Sequence, residues 1–208
     1  MRKQVVMCVA LALLGLTGCA HQSQNLPEVA HLPANQAVVT ELNAWTLQAK
    51  LGLVADQERL SMQVLWQQET KDTYQLTFIA PLGQGQAQLT AGPAWVRWQD
   101  SQGYRAQATS AQALLKQELG WDLPLPALHW WIRGLLTPNL PQAHLTYHPQ
   151  GDLKQAQQGD WLLEWPTYTQ VNAEYRLPRK VRLTHQQRPL SATWVIYGWT
   201  LPKVTSSP

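Results

Sequence analysis

The sequence predicts a mainly β protein: a single antiparallel, strongly curved sheet with one apolar face, plus two helices in the middle of the chain. Three observations lead there. Apolar and polar residues alternate along nine runs between residues 45 and 199. Short polar turns such as "DQE", "ETKD" and "SQG" separate the early runs, and short loops join antiparallel neighbours. Between residues 109 and 136 the apolar period changes from that of a strand to that of a helix.

The elements follow in order. "AVVTELNAW" (37–45) reads as a short helix. Trp45, Leu47, Ala49, Leu51 and Leu53 then fall on one face of a first strand, and Leu60, Met62, Val64 and Trp66 on one face of a second. Tyr74, Leu76, Phe78 and Ala80 mark a third, Ala87 and Leu89 a fourth, and "AWVRWQ" (94–99) a fifth. Strict alternation makes one face apolar and the other wet. "TSAQALLKQELGW" (109–121) reads as a helix with Ser110 as its N-cap, and "PLPALHWWIRGLL" (124–136) as a second, with Leu128, Trp131, Ile132 and Leu135 on one side. Strands resume in "AHLTYHP", "DWLLEWP", "PRKVRLTHQ" and "SATWVIYGW".

Between the third and fourth strands lies "IAPLGQGQAQL" (79–89). Pro81, Gly83 and Gly85 supply turn chemistry. Leu82 stands at the tip, where water ordinarily selects Asn, Asp, Ser or Gly. The reading is that this tip touches something apolar.

Composition bounds the chemistry. A chain of 208 residues is one ordinary domain. Apolar residues make up 45%, enough for a core, while charged residues are only 14%, against roughly 25% in a typical soluble chain. Eleven Trp accompany a single Phe, which suits half-wet apolar surfaces because indole joins a large apolar face to one N–H. The net charge of +3 includes Arg2 and Lys3; without these two it is +1, with no basic stripe of the kind nucleic acids select.

Those two residues open "MRKQVVMCVALALLGLTGC" (1–19). The apolar run from Val5 to Leu16 is short of the roughly 20 residues that span a bilayer and fits the h-region of a secretory signal. "LTGC" (16–19) resembles the bacterial lipobox, which implies S-diacylglycerol and N-palmitoyl groups on Cys19 after removal of residues 1–18. The other cysteine, Cys8, leaves with the signal, so the mature chain has no disulfide. Ala20 follows Cys19 in place of the Asp that retains such lipoproteins in the inner membrane, which implies the outer membrane. Residues 19–36 then form the lipidated N-terminus and a flexible tether, 37–202 the folded domain, and 203–208 a frayed tail.

Catalytic signatures do not appear in the sequence. There is no G-x-S-x-G elbow and no H-E-x-x-H pair. His144 and His148 stand four apart, but in strand-like context and before Pro149. No metal, no cofactor and no catalytic residue is expected.

Taken together, the lipobox, "LNAWTLQAKLGL" (42–53), "WQQ" (66–68), "APLGQ" (80–84) and "GWDLPLPALHWWIRGL" (120–135) resemble the LolB family of outer-membrane lipoprotein receptors, relatives of the LolA carriers. The last stretch carries the family spacing through Gly120, Pro124, Leu128, Trp131 and Gly134. Lys50 stands where that family often has Arg, and Gln84 and Gly85 where it has small polar residues. The resemblance implies an unclosed β-barrel with an α-helical lid. It implies a monomer that accepts lipoproteins from the periplasmic carrier LolA, holds their acyl chains in an apolar cavity, and inserts them into the outer membrane, with no nucleic acid involved. The expected cavity residues are Leu47, Met62, Val64, Trp66, Leu76, Phe78 and Leu89 on the sheet and Leu114, Leu128 and Trp131 on the lid. Leu82 is expected to serve membrane insertion, as the hairpin leucine does in that family. Two other readings stay open: a lipoprotein enzyme acting on lipid or cell wall, with Ser110 or Ser191 as nucleophile, and a structural lipoprotein with a filled core.

Overall fold

The computed structural model describes residues 34–55, 58–83 and 85–202. Cys19, the signal at 1–18, most of the tether and the tail at 203–208 lie outside the described residues.

Helix α1 (Ala34–Thr40) comes first. Five strands follow: β1 (Trp45–Ala55), β2 (Glu58–Gln68), β3 (Tyr74–Ile79), β4 (Gln86–Gly92) and β5 (Trp95–Asp100). Short β6 (Arg105–Ala108) leads into helices α2 (Ala111–Leu119) and α3 (Leu125–Trp131). The chain closes with β7 (Gln142–Tyr147), β8 (Leu153–Gln158), β9 (Trp161–Gln170), β10 (Arg176–His185) and β11 (Leu190–Thr200).

All eleven strands form one antiparallel sheet in the order β6-β5-β4-β3-β2-β1-β11-β10-β9-β8-β7. The sheet does not close: β6 and β7 are its two free edges. The topology explains where the helices go. β6 and β7 are neighbours in sequence but lie at opposite edges, so the segment between them must cross from one edge to the other. That segment contains α2 and α3. Their Leu114, Leu115, Leu128 and Trp131 join one buried cluster with the inward residues of the sheet.

The expected alternation is present. Trp45, Leu47, Ala49, Leu51 and Leu53 are all buried, with more exposed residues between them. Ser110 caps α2, its hydroxyl accepting from Ala113 N at 3.3 Å. Gly120 ends that helix at φ 72°, in the left-handed region.

Two boundaries and two further strands differ from expectation. The first helix begins at Ala34 rather than 37, and Asn35 donates to Asp152 at 2.8 Å and to Arg176 O at 2.9 Å. The last residues assigned to the tether are therefore fastened to the sheet. The second lid helix ends at Trp131 rather than 136, because the chain turns at Gly134 (φ 81°), where a Cβ would stand 2.7 Å from the Tyr168 hydroxyl. β6 ("RAQA") and β8 ("LKQAQQ") raise the strand count from nine to eleven. Neither carries large alternating apolar residues; β8 buries Leu153, Ala156 and Gln158 instead.

Candidate functional site

The inner face is built by register. Val64 lies opposite Ala49 and Phe78, Trp66 opposite Leu47 and Leu76, and Leu89 opposite Leu76. Side chains paired across strands share a face, so one continuous apolar row crosses β1 to β4. Leu47, Val64, Trp66, Leu76, Phe78 and Leu89 are no more than 5% exposed, as are Leu114, Leu128 and Trp131 on the helices above them. Met62 is half-buried, near the open end of β2. The interior is thus filled by lid side chains pressed onto the sheet. Ring contacts run through it: Trp45 to Trp66 at 5.1 Å, Phe78 to Trp98 at 6.0 Å, and Phe78 edge-on to Trp121 at 5.7 Å.

The two lid helices are held differently. α3 is bolted from below. Gln158, fully buried, accepts from Trp131 Nε1 at 2.7 Å and from Thr137 N at 2.9 Å, and donates to Thr137 O at 2.8 Å. Trp165 Nε1 donates to Trp131 O at 2.7 Å. From the other side, Arg133 donates through Nη1 to Val39 O at 3.1 Å and Leu42 O at 2.7 Å, and through Nε to His129 O at 3.1 Å. Burial pushes the Arg133 guanidinium down to about 10, so it stays charged at neutral pH. Burial first, and the Arg133 charge second, push the His129 imidazole down to about 3. His129 is therefore neutral. Its Nε2, 2.9 Å from Arg133 Nη2, must accept, because a guanidinium can only donate. The proton then sits on Nδ1, which has no partner among the described residues.

α2 is held at the surface. Asp122, just after it, takes a bond from Gln112 at 2.8 Å and from Arg188 of the β10–β11 turn at 2.6 Å, with Lys116 at 3.5 Å. These bonds, led by the one from Gln112, hold the Asp122 carboxyl at about 2. Such exposed pairs contribute roughly 0–1 kcal/mol.

Leu82 stands at the hairpin tip, 95% exposed, with φ 58° in the left-handed region. That conformation costs a leucine roughly 1–2 kcal/mol, and here it aims an apolar side chain into solvent. A groove of about 270 Å³ with Met62, Ile79, Ala80 and Pro81 in its walls runs beside it. A cleft of about 510 Å³ opens at the same end of the sheet, between the β1–β2 turn and the end of α2. A second cleft, about 330 Å³, opens at the other end between α3 and β2–β5, with Trp66, Tyr74, Leu125 and His129 in its walls.

The structure brings nine of the ten residues expected to line the interior into one buried cluster, and places the half-buried Met62 against that cluster and in the groove beside Leu82. Sequence reasoning missed the contribution of β8 to β11, whose Ala156, Leu163, Trp165, Val181, Leu183, Ala192, Trp194 and Ile196 complete the interior. The alternation in "WLLEWP" and "SATWVIYGW" carried that signal. Arg133 had no signal beyond one cation in an apolar helix. Ser110, named above as a nucleophile, spends its hydroxyl on the α2 cap, and no hydrogen bond joins Ser191 to a histidine among the described residues. No group of three or more His, Cys, Asp or Glu stands where it could hold a metal ion among the described residues. His144 is exposed, and His148 pairs with Trp165 O.

Comparison with known proteins adds to this geometry. The model of the family described as "Outer membrane lipoprotein LolB" matches residues 43–199. The outer-membrane lipoprotein LolB of Cellvibrio japonicus (strain Ueda107) is 34% identical over 202 residues, covering 97% of this chain and 98% of that one. The outer-membrane lipoprotein LolB of Pseudomonas putida (strain KT2440) is 32% identical over 198 residues, covering 92% and 94%. In fold, a LolA superfamily protein from Nitrosomonas europaea superposes with a TM-score of 0.53 at 5% identity, covering 82% of this chain and 94% of that one.

Proposed function

This chain belongs to the outer membrane lipoprotein LolB family, and from that premise we propose that it is a lipid-anchored receptor. It takes acylated lipoproteins from the periplasmic carrier LolA, shelters their acyl chains, and releases them into the outer membrane. It acts as a monomer and by binding alone, with no bond made or broken. The observation that carries this reading is the continuous apolar row on β1 to β4, roofed by a helix that packs on it through apolar side chains and whose side-chain hydrogen bonds lie at the surface.

Acyl chains enter by lifting α2 and taking the place of Leu114 and Leu115 against the sheet. Lifting α2 exposes leucines worth roughly 1.5–3 kcal/mol each, and each acyl CH₂ that replaces them returns about 0.8 kcal/mol. One apolar surface is exchanged for another. The net change is small, which suits a protein that must give up its cargo as readily as it accepts it. At the membrane, Leu82 leads. Burying one leucine is too weak to anchor a protein but sufficient to bias a brief encounter. Stable attachment comes from the acyl groups on Cys19, since two or more chains are needed for it. No helix of the described residues is long and apolar enough to cross a membrane.

The test is transfer of a photo-crosslinkable acylated lipoprotein from LolA to the purified domain. A crosslink to residues of the β1–β4 inner face is expected, and no complex with a competent donor sinks the reading. Cys19→Ala is expected to leave acyl uptake intact and to remove the protein from the outer-membrane fraction. Unchanged fractionation overturns the anchor.

The closely packed interior favours a second reading, a structural lipoprotein with a finished core. That reading expects no fatty ligand on the purified protein in native mass spectrometry, where the receptor reading expects bound acyl species.

A further inference from the structure

Four indole N–H groups find acceptors within the fold. Trp66 donates to Gln68, Trp131 to Gln158, Trp165 to Trp131 O and Trp199 to Pro178 O. Trp121 does not. Its ring is 2% exposed and its Nε1 is buried without an acceptor among the described residues. A buried donor left unpaired is costly, and native interiors rarely keep one without a reason.

Its position supplies the reason. Trp121 follows Gly120 at the end of α2 and walls the cleft of about 510 Å³, together with Leu53, Leu60 and Leu119. Leu60 is itself 40% exposed, an apolar residue at the rim. By register this is also the hairpin end. Ile79 pairs with Gln63, so the tip beyond Ile79 runs alongside the first residues of β2, where Leu60 lies. An acylated molecule whose chains lie under α2 therefore has its polar linkage at this mouth, with its remaining mass outside. An ester or amide carbonyl is an acceptor with no proton to offer, which is what an unpaired N–H requires.

Resting on the receptor reading above, we infer that Trp121 Nε1–H is a hydrogen-bond donor to the ester or amide carbonyl of the bound acyl chain. The mouth then distinguishes a carbonyl-linked chain from a bare hydrocarbon of the same length. The apolar row supplies affinity and Trp121 supplies selectivity for the linkage.

The experiment compares two probes on the full domain: a diacylated lipopeptide with ester-linked chains and its dialkyl ether analogue of equal chain length. The wild-type protein is expected to bind the ester roughly five-fold more tightly, the size of one neutral hydrogen bond. Replacing Trp121 with benzothienylalanine, which keeps the ring shape and removes the N–H, is expected to lower ester affinity to that of the ether and leave ether affinity unchanged. Trp121→Phe, checked by thermal melting, is expected to erase the same preference. Equal loss of both probes, or a preserved ester preference in the benzothienylalanine protein, overturns the donor role while the receptor reading stands. Failure of the wild-type protein to bind either probe overturns the receptor reading itself, and the donor role with it.

Discussion

The two ends of the lid rest on surfaces of different kinds. Under α3, directional bonds run into the buried residues: Gln158 alone serves Trp131 and both backbone groups of Thr137, and Arg133 ties the helix to the α1–β1 segment, while His129 Nδ1 stays without a partner among the described residues. At the end of α2 the bonds are confined to the surface, and the Trp121 indole nitrogen is buried without a partner among the described residues, as are those of Trp45, which packs against His129 of α3, and Trp194. Both regions are closely packed, so burial does not tell them apart. Directional bonds into the buried residues do: α3 and the turn after it make several, and the side-chain bonds around α2 lie at the surface. The first is a finished core. On the proposed receptor reading, the second is the surface whose covering is exchanged for acyl chains, since apolar contact without directional bonds allows such an exchange.

The largest break in this comparison is Phe78→Asp. An unpaired carboxylate among acyl chains is strongly disfavoured, so ligand uptake is expected to fall below detection. Circular dichroism must show an intact sheet, and normal uptake by a folded variant would reassign the inner face.

Next is Gln158→Ala in the finished region. It strands the Trp131 N–H and both Thr137 backbone groups, and is expected to cost about 2–4 kcal/mol in denaturant unfolding. A loss under about 1 kcal/mol would mean that α3 is not bolted there.

A pH titration sharpens the contrast further. His129 takes a proton below about 6.5 when unfolded but only near 3 when folded. The unfolded chain therefore binds more protons between those values, and stability falls as pH drops from 6.5 toward 3. His129→Gln is expected to flatten that part of the stability curve. An unchanged slope in the variant would place the titration elsewhere.

The smallest effect on the fold is expected at Leu82. Leu82→Glu removes a side chain that touches little, so the melting temperature and uptake from LolA are expected to stay within error. Release into liposomes is expected to slow roughly ten-fold or more, in keeping with one leucine's burial of roughly 1.5–3 kcal/mol. Delivery at the wild-type rate would leave the tip without a membrane role.

How far the site was legible varies along the chain. The row from Leu47 to Leu89 was readable because alternation dictates which face each residue takes, and hairpin neighbours pair locally. Leu82 was readable because a leucine at a turn tip contradicts its surroundings. β8 was not, since "LKQAQQ" offers glutamines where an apolar face was sought. Gln158 enters the interior only because Trp131 and Thr137, some 20 to 30 residues earlier in sequence, present it with partners. Arg133 is a similar case: the carbonyls that accept from it lie in the α1–β1 segment, 91 and 94 residues away.

The sequence by itself determined the fold class, the inward row, the cap of α2 and the exposed tip. Each depends on residues close together in the chain, through the period of two, a side chain reaching a backbone N–H three residues on, or a turn. Only the tertiary structure decided that β1 lies beside β11, that the helices must cross from one sheet edge to the other, and that α3 is bolted while α2 is not. Those outcomes depend on which distant groups find hydrogen-bond partners, and pairing between remote polar atoms leaves no periodic trace in the chain.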